Sequence, residues 1–382
     1  MKVVLILCML VLVPLSTAAA RQPASDSYQP TPDWSGNHLQ DNHISTPADS
    51  ISFKRFSILL LPIIFRSPDT GFAGGVLPQV IFRNSPHSNP SSIRLDAYYT
   101  QKKQYTILLR PTIWLNDDRL NITARLAVKE WPTSFYGIGN NTPRSGSESF
   151  SEQIIEATAE GTYGISSGFY SGAGYMLRSG RITAENENGQ LAGGSITGSG
   201  KNIVSGVFGV LRHDTRNHHF FPTRGVLHRL EFFASLKPAG SDHAFTRSTL
   251  DMRFYIPIHT NQTIAVQGKA VFTTGDVPFR MLSTVGDDLR GYSSVRHIDR
   301  HLIAIQAEYR VVPVAWRVGL TVFVGVGDVY QDLSDVRLNR LKYSAGLGLR
   351  YLFSRTEKIN IRFDYGTGRD SSGDYIDLTE AY

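Results

Sequence analysis

From about residue 53 to the end of the chain, apolar and polar side chains alternate in segments of about ten residues. In 358–365, Ile359, Ile361, Phe363 and Tyr365 fall on one face, and Lys358, Asn360, Arg362 and Asp364 on the other. The stretch from Leu302 sets Ile303, Ile305, Ala307, Tyr309 and Val311 against Gln306, Glu308 and Arg310. A period of two marks extended strands with two chemically different faces. The separation recurs at 226–236, where Leu230, Phe232, Ala234 and Leu236 oppose Arg229, Glu231 and Ser235. At 343–353, Tyr343, Ala345, Leu347, Leu349, Tyr351 and Phe353 alternate with Ser344, Gly346, Gly348 and Arg350. A soluble sheet would need helices to cover such a face, and no helical period supplies them. Strands of this length, aromatic on one side and turn-punctuated, are those of a transmembrane antiparallel β-barrel. A charge on the lipid side near the midplane costs on the order of 2–4 kcal/mol, so the two faces have to be kept apart.

Strands are expected at 53–65, 70–83, 92–102, 104–115, 119–130, 150–163, 166–180, 202–213, 224–236, 244–257, 260–273, 300–312, 315–329, 342–354, 357–367 and 373–382. That makes an all-β fold of 16 strands, an even number as single-chain bacterial barrels have. Tight links fall at Asn116-Asp117-Asp118-Arg119, Pro257-Ile258-His259-Thr260 and Val312-Pro313. The long links, 131–149, 181–201, 274–299 and 330–341, all join an odd strand to an even one. With the N-terminus inside the cell envelope, those are the outward connections, where long loops are expected.

The first residues agree with export. Met1-Lys2, the apolar run Val3 to Leu15 and the small residues Ala18-Ala19-Ala20 read as a secretory signal peptide over 1–20. Residues 21–52, with Pro23, Pro30, Pro32 and Pro47 among polar side chains, read as a flexible periplasmic lead-in. The barrel then occupies 53–382. The one cysteine, Cys8, lies in the signal segment, so the exported chain has neither a disulfide nor a thiolate metal site. A net charge of +6, spread singly along strands, gives no basic stripe for nucleic acid and suits a polar lumen wall. Seventeen Tyr and twenty Phe are enough for two interfacial girdles.

Some apparent motifs lose their meaning in this setting. Gly164-Ile165-Ser166-Ser167-Gly168 has the nucleophile pattern but lies in a strand–strand turn, where no helix can form the elbow. Gly198-Ser199-Gly200-Lys201 lacks phosphate-loop spacing, and His218-His219 has no third ligand nearby. No enzyme activity, cofactor or metal is expected.

The link between the eleventh and twelfth strands carries Leu289-Arg290-Gly291-Tyr292. With Asp214-Thr215-Arg216 leading to Phe221-Pro222-Thr223-Arg224-Gly225, and with Phe135 to Asn140, this resembles the Omp85 superfamily barrels, the BamA/TamA and bacterial surface antigen group. The resemblance spans the whole barrel. It implies sixteen strands and a sixth outer loop whose Val-Arg-Gly-Phe/Tyr motif folds into the lumen; Leu289 stands for Val. It also implies that Arg290 pairs with an inward carboxylate. The family's Phe-x-Asp-x-Gly on strand thirteen is Phe323-Val324-Gly325-Val326-Gly327 here, with Gly325 in place of Asp. Glu308 on the adjacent strand is the preferred substitute, and Asp328 lies one step off register. The final Tyr382 matches the terminal aromatic that outer-membrane assembly machinery recognises, although Glu380 shares its face. The implied location is the bacterial outer membrane, as a monomeric barrel in contact with lipid. The implied work is assembly or translocation, with client or partner envelope proteins. The lead-in is too short for a POTRA domain, which leaves a passive pore or a structural anchor as the alternative.

Overall fold

The computed structural model describes residues 55–67, 71–85, 88–101, 103–184, 186–369 and 371–382. The expected signal peptide and lead-in lie outside these residues. Sixteen strands form one antiparallel sheet in chain order. They are β1 (Phe56–Ser67), β2 (Gly71–Phe82), β3 (Ser91–Thr100), β4 (Tyr105–Leu115), β5 (Leu120–Phe135), β6 (Glu148–Ser166), β7 (Phe169–Ala184) and β8 (Lys201–Asp214). The second half comprises β9 (Gly225–Ser235), β10 (Phe245–His259), β11 (Gln262–Gly275), β12 (His301–Ala315), β13 (Val318–Tyr330), β14 (Lys342–Ser354), β15 (Ile359–Gly368) and β16 (Ser371–Leu378). Helical structure among the described residues is limited to single 3-10 turns in the connections. No described helix is long and apolar enough to cross a membrane.

The alternation sets the faces. Leu347, Leu349, Ile305, Val322, Val324 and Phe232 are exposed on the outer surface, while Glu308, Arg310, Arg350 and Asp364 are buried within. At one end the strands join by short turns. Asn116, Asp117 and Asp118 all take left-handed backbone angles, with φ of 53°, 49° and 64°, which Asn and Asp tolerate better than other side chains. One tight link moves. β12 runs through Val312-Pro313 to Ala315, its register shifts between Val311 and Ala315, and the chain reverses at Trp316-Arg317 instead. Proline, lacking an N–H, is accommodated at this irregularity without a lost ladder bond.

Among the described residues the two ends of the sheet share no strand pairing: β1 pairs with β2, and β16 with β15. Their side chains overlap instead. Opposed Arg362 and Asp377 face inward, which turns Ile359, Ile361 and Leu378 outward. The alternation would leave these three to lipid, yet they are buried against Leu59, Leu61, Leu77 and Ile81, from the inner faces of β1 and β2. On the far side of that hairpin Ile58, Leu60 and Phe72 are exposed. The first hairpin therefore laps over the outside of the last two strands. Over Ile58 to Leu61 both faces of β1 are apolar, one exposed and the other packed on the last strands. Arg83 and Ser57 bind Glu357 at 2.5 and 3.1 Å, and Arg94 binds Asp377 at 2.7 Å, pinning the lap.

Connections pack together at both ends of the barrel. At the loop end, Phe135, Phe150, Ile182, Leu191, Phe279 and Ile298 form one apolar cluster that joins the connections after β5, β7 and β11. At the short-turn end, residues 215–224 reach from β8 and β9 to Asn89, Trp114 and the cluster of Leu59 and Ile359. Arg216 donates to both oxygens of Asp214 at 2.9 and 2.8 Å, and Phe220 reaches the lap-joint cluster. His219 Nε2 lies 2.7 Å from Asn89 Oδ1, and its ring packs on Trp114. Burial, with the Lys358 charge next in weight, pushes His218 down to about 3. Burial, with Arg216 next, pushes His219 down to about 4.

Candidate functional site

The connection from β11 to β12 turns back into the lumen, and it is held open as a loop by a two-residue pairing of Ser283–Thr284 with Ile298–Asp299. Its tip, Leu289 to Tyr292, is buried. Gly291 has φ 105°, and a Cβ there would lie 2.7 Å from the Thr367 carbonyl carbon, so only glycine lets the tip approach β15 this closely. β15 reciprocates with Gly366, where a Cβ would lie 2.8 Å from the Arg290 carbonyl carbon. The backbone of the tip is then tied down. The Gly291 N–H donates to the Tyr375 hydroxyl at 2.7 Å, and the Ser344 hydroxyl donates to the Arg290 carbonyl. The Tyr292 hydroxyl donates to the Tyr343 carbonyl at 2.8 Å and accepts from the Arg369 N–H at 2.9 Å.

Arg290 enters a closed ring of alternating charge. It donates to Glu308, and at 2.5 Å to Asp364. Glu308 also accepts from Arg310 at 2.7 Å, and Arg310 lies 3.6 Å from Glu380. Glu380 accepts from Arg350 at 2.8 Å, and Arg350 returns to Asp364 at 2.5 Å. Three guanidiniums thus alternate with three carboxylates, and no member's side chain is more than 8% exposed. A buried charge is costly alone, and each member here has opposite charges on two sides. Arg362 donates to Asp364 at 3.1 Å from outside the ring. The Arg290 guanidinium also sits 3.5 Å from the centroid of the Phe323 ring, a cation–π contact in desolvated surroundings.

Five parts of the molecule meet in this ring: the sixth loop, β12, β14, β15 and the residues after β16. That last contribution revises the reading of the C-terminus. β16 stops at Leu378, Thr379 takes φ 71°, and the chain turns inward. Glu380 therefore leaves the lipid-facing register for the ring, and Tyr382 lies in the lumen rather than at the rim of the sheet. Its carbonyl accepts from Arg310 at 3.0 Å, and its ring packs with Tyr255 and Ala265.

The remaining sequence candidates divide. Gly325 leaves room for Leu289, whose Cδ2 would lie 2.7 Å from a Cβ at 325, so an aspartate there would displace the loop tip. Gly327 lies against Ala304 on the inner wall. Asp328 is far from the ring's chemistry: it binds Lys342 at 3.4 Å and accepts from Asn140 at 3.0 Å, joining the fifth-to-sixth strand connection to the barrel wall. Asp364, Arg310, Arg350 and Glu380 are the members that the motif alone does not point to. Their inward alternation was available as a signal for the first three. Glu380 becomes intelligible only once the strand is known to end before it. Among the described residues no group of His, Cys, Asp or Glu is arranged to hold a metal ion. Ser166 ends β6 and Ser167 lies in the exposed turn to β7, and among the described residues neither is bonded to a histidine.

The family model of the Omp85 superfamily domain matches residues 89–376. Among solved structures, BamA from Haemophilus ducreyi lacking POTRA domains 1-3 superposes with a TM-score of 0.55 at 16% identity. The match covers 85% of this chain and 68% of that one. CdiB from Acinetobacter baumannii gives 0.53 at 11% identity, over 86% of this chain and 60% of that one. CdiB from Escherichia coli gives 0.54 at 9%, over 85% and 61%. The chain thus spans about three-fifths to two-thirds of the length of these relatives. No curated protein sequence matches it. The single sixteen-stranded sheet, the sixth loop lodged in its lumen and the family match over most of the chain make this protein a member of the Omp85 superfamily of outer-membrane β-barrels.

Proposed function

We propose that this barrel works in the assembly or translocation of envelope proteins, as a monomer and without enzymatic chemistry. The observation that carries the reading is the pairing of a locked lumen with an unlocked wall. The sixth loop is held through Arg290 in a buried ring of six charges, whereas among the described residues the contacts between the sheet ends are side-chain contacts. Opening the lap exposes two strand edges, each with unsatisfied backbone groups that an incoming strand can pair. The lumen ring keeps the rest of the wall in register meanwhile. Export by a cleaved signal peptide over residues 1–20 belongs to the same reading, as do partner proteins that deliver clients from the periplasm.

The alternative, a passive pore or anchoring barrel, makes a different demand: no client need be helped. The discriminating experiment reconstitutes the protein in phospholipid vesicles and adds a urea-unfolded outer-membrane barrel as client. Faster client folding than in vesicles holding an unrelated closed barrel supports an assembly role. Equal rates in the two preparations, with the protein itself fully folded, would reject it.

A further inference from the structure

We propose that the connection 331–341 between β13 and β14 is a membrane-interface anchor that binds anionic lipid headgroups on the loop side of the bilayer. The proposal rests on the chain being membrane-embedded, and on three observations taken together at this connection.

The first is exposure. Leu333, Val336 and Leu338 are 58%, 44% and 79% exposed, in a run where every residue from 331 to 340 is exposed. Nothing in the described protein covers these aliphatic side chains. The second is height. β13 and β14 have 13 residues each, whereas β5, β6 and β7 have 16, 19 and 16. About 9–11 residues cross the hydrocarbon, so β13 leaves the sheet close to its boundary rather than well above it. The outward residues Val318, Leu320, Val322 and Val324 lead up to this level, and on β14 the exposed Tyr343 marks it. The loop's apolar side chains stand beyond the lipid-facing run Val318 to Val324, past the buried residues 327–330.

The third is charge. Arg337 and Arg340 flank Leu338, both exposed, and among the described residues neither guanidinium has a hydrogen bond or ion pair. Asp332 and Asp335 occupy the other half of the connection, so the basic pair is concentrated at its most exposed leucine. Aliphatic side chains at acyl depth with arginines at phosphate height match the two layers of an anionic lipid surface.

The test places an environment-sensitive fluorophore on Leu338→Cys, with Val322→Cys as a reference on the lipid face. Each is reconstituted in phosphatidylcholine vesicles with or without phosphatidylglycerol, and quenched by lipid carrying a nitroxide near the headgroup. We expect quenching at 338 that weakens when phosphatidylglycerol is omitted, or when Arg337→Gln and Arg340→Gln are introduced together. An unquenched label at 338 beside a quenched one at 322 would overturn the proposal. So would quenching at 338 that ignores both the lipid charge and the two arginines. Absence of quenching at 322 would instead contradict the membrane embedding itself.

Discussion

Arg290 of the sixth loop and Asp364 of β15 lie 2.5 Å apart, although 74 residues separate them in the chain. Asp364 accepts from Arg350 at the same distance, so the contact is one side of a closed ring and not an isolated pair. Removing one member of a buried pair leaves its partner charged and desolvated, at a cost of about 3–5 kcal/mol. Arg290→Ala is therefore expected to lower the denaturant or thermal midpoint of the detergent-solubilised barrel markedly. Asp364→Ala should do the same, and the double variant should lose less than the sum of the two. Additive losses in that double-mutant cycle would show that the two side chains do not interact.

Glu380 connects the C-terminal residues to the same ring through Arg350 and through Asn360, which donates to it at 2.6 Å. Glu380→Gln keeps the shape and removes the charge. Its expected effect is local: faster hydrogen exchange at residues 379–382, and earlier removal of Tyr382 by carboxypeptidase, with β3 to β11 unchanged. Exchange that rises uniformly through the sheet would instead mark Glu380 as a general stability residue.

The lap joint can be separated from a lipid-facing wall by one truncation. Ile359 is completely buried, while Leu347 on the neighbouring outer face is 64% exposed. Where protein surrounds the side chain, Ile359→Ala leaves a cavity and is expected to cost about 2–5 kcal/mol. Leu347→Ala should cost much less, because lipid fills the space. Equal losses at the two positions in urea unfolding from vesicles would argue against the overlap.

Alternation makes the sixteen strands readable in the sequence, because every strand that separates lipid from a polar lumen has to obey it. Its exceptions hold the information that is not local. Ile359 and Ile361 carry the lipid-facing pattern, yet are covered by a hairpin some 280 residues earlier, which only the curvature of the sheet brings there. Glu380 looks like a fault in the last strand until Thr379 turns the chain inward. Glu308 could be nominated for Arg290 because it sits inward on an adjacent strand. Asp364 could not, because its approach depends on how far the loop tip reaches across the lumen. The substitution of glycine at 325 is explained by the volume of Leu289, a relation between side chains from different elements.

The short-turn connection 215–224 should respond to acid. His218 and His219 are held neutral in the fold, with values pushed down to about 3 and 4 from an ordinary 6.5. The unfolded connection then binds more protons than the folded one as pH falls below 6.5, and its stability declines down to the folded values. Proteolysis or hydrogen exchange of residues 215–224 is expected to accelerate between about pH 6 and 4. His219→Asn should flatten that dependence. A profile unchanged by the substitution would place the sensitivity elsewhere.

The most direct measurement is the conductance of single barrels in planar bilayers, wild type against Arg290→Ala. A lumen occupied by the clasped sixth loop, with packed connections at both ends, predicts a wild-type protein that is silent or opens only briefly. Releasing Arg290 from Glu308 and Asp364 should give longer and larger openings. A stable, large, ligand-independent conductance in the wild type, unchanged by Arg290→Ala, would contradict the loop-locked lumen.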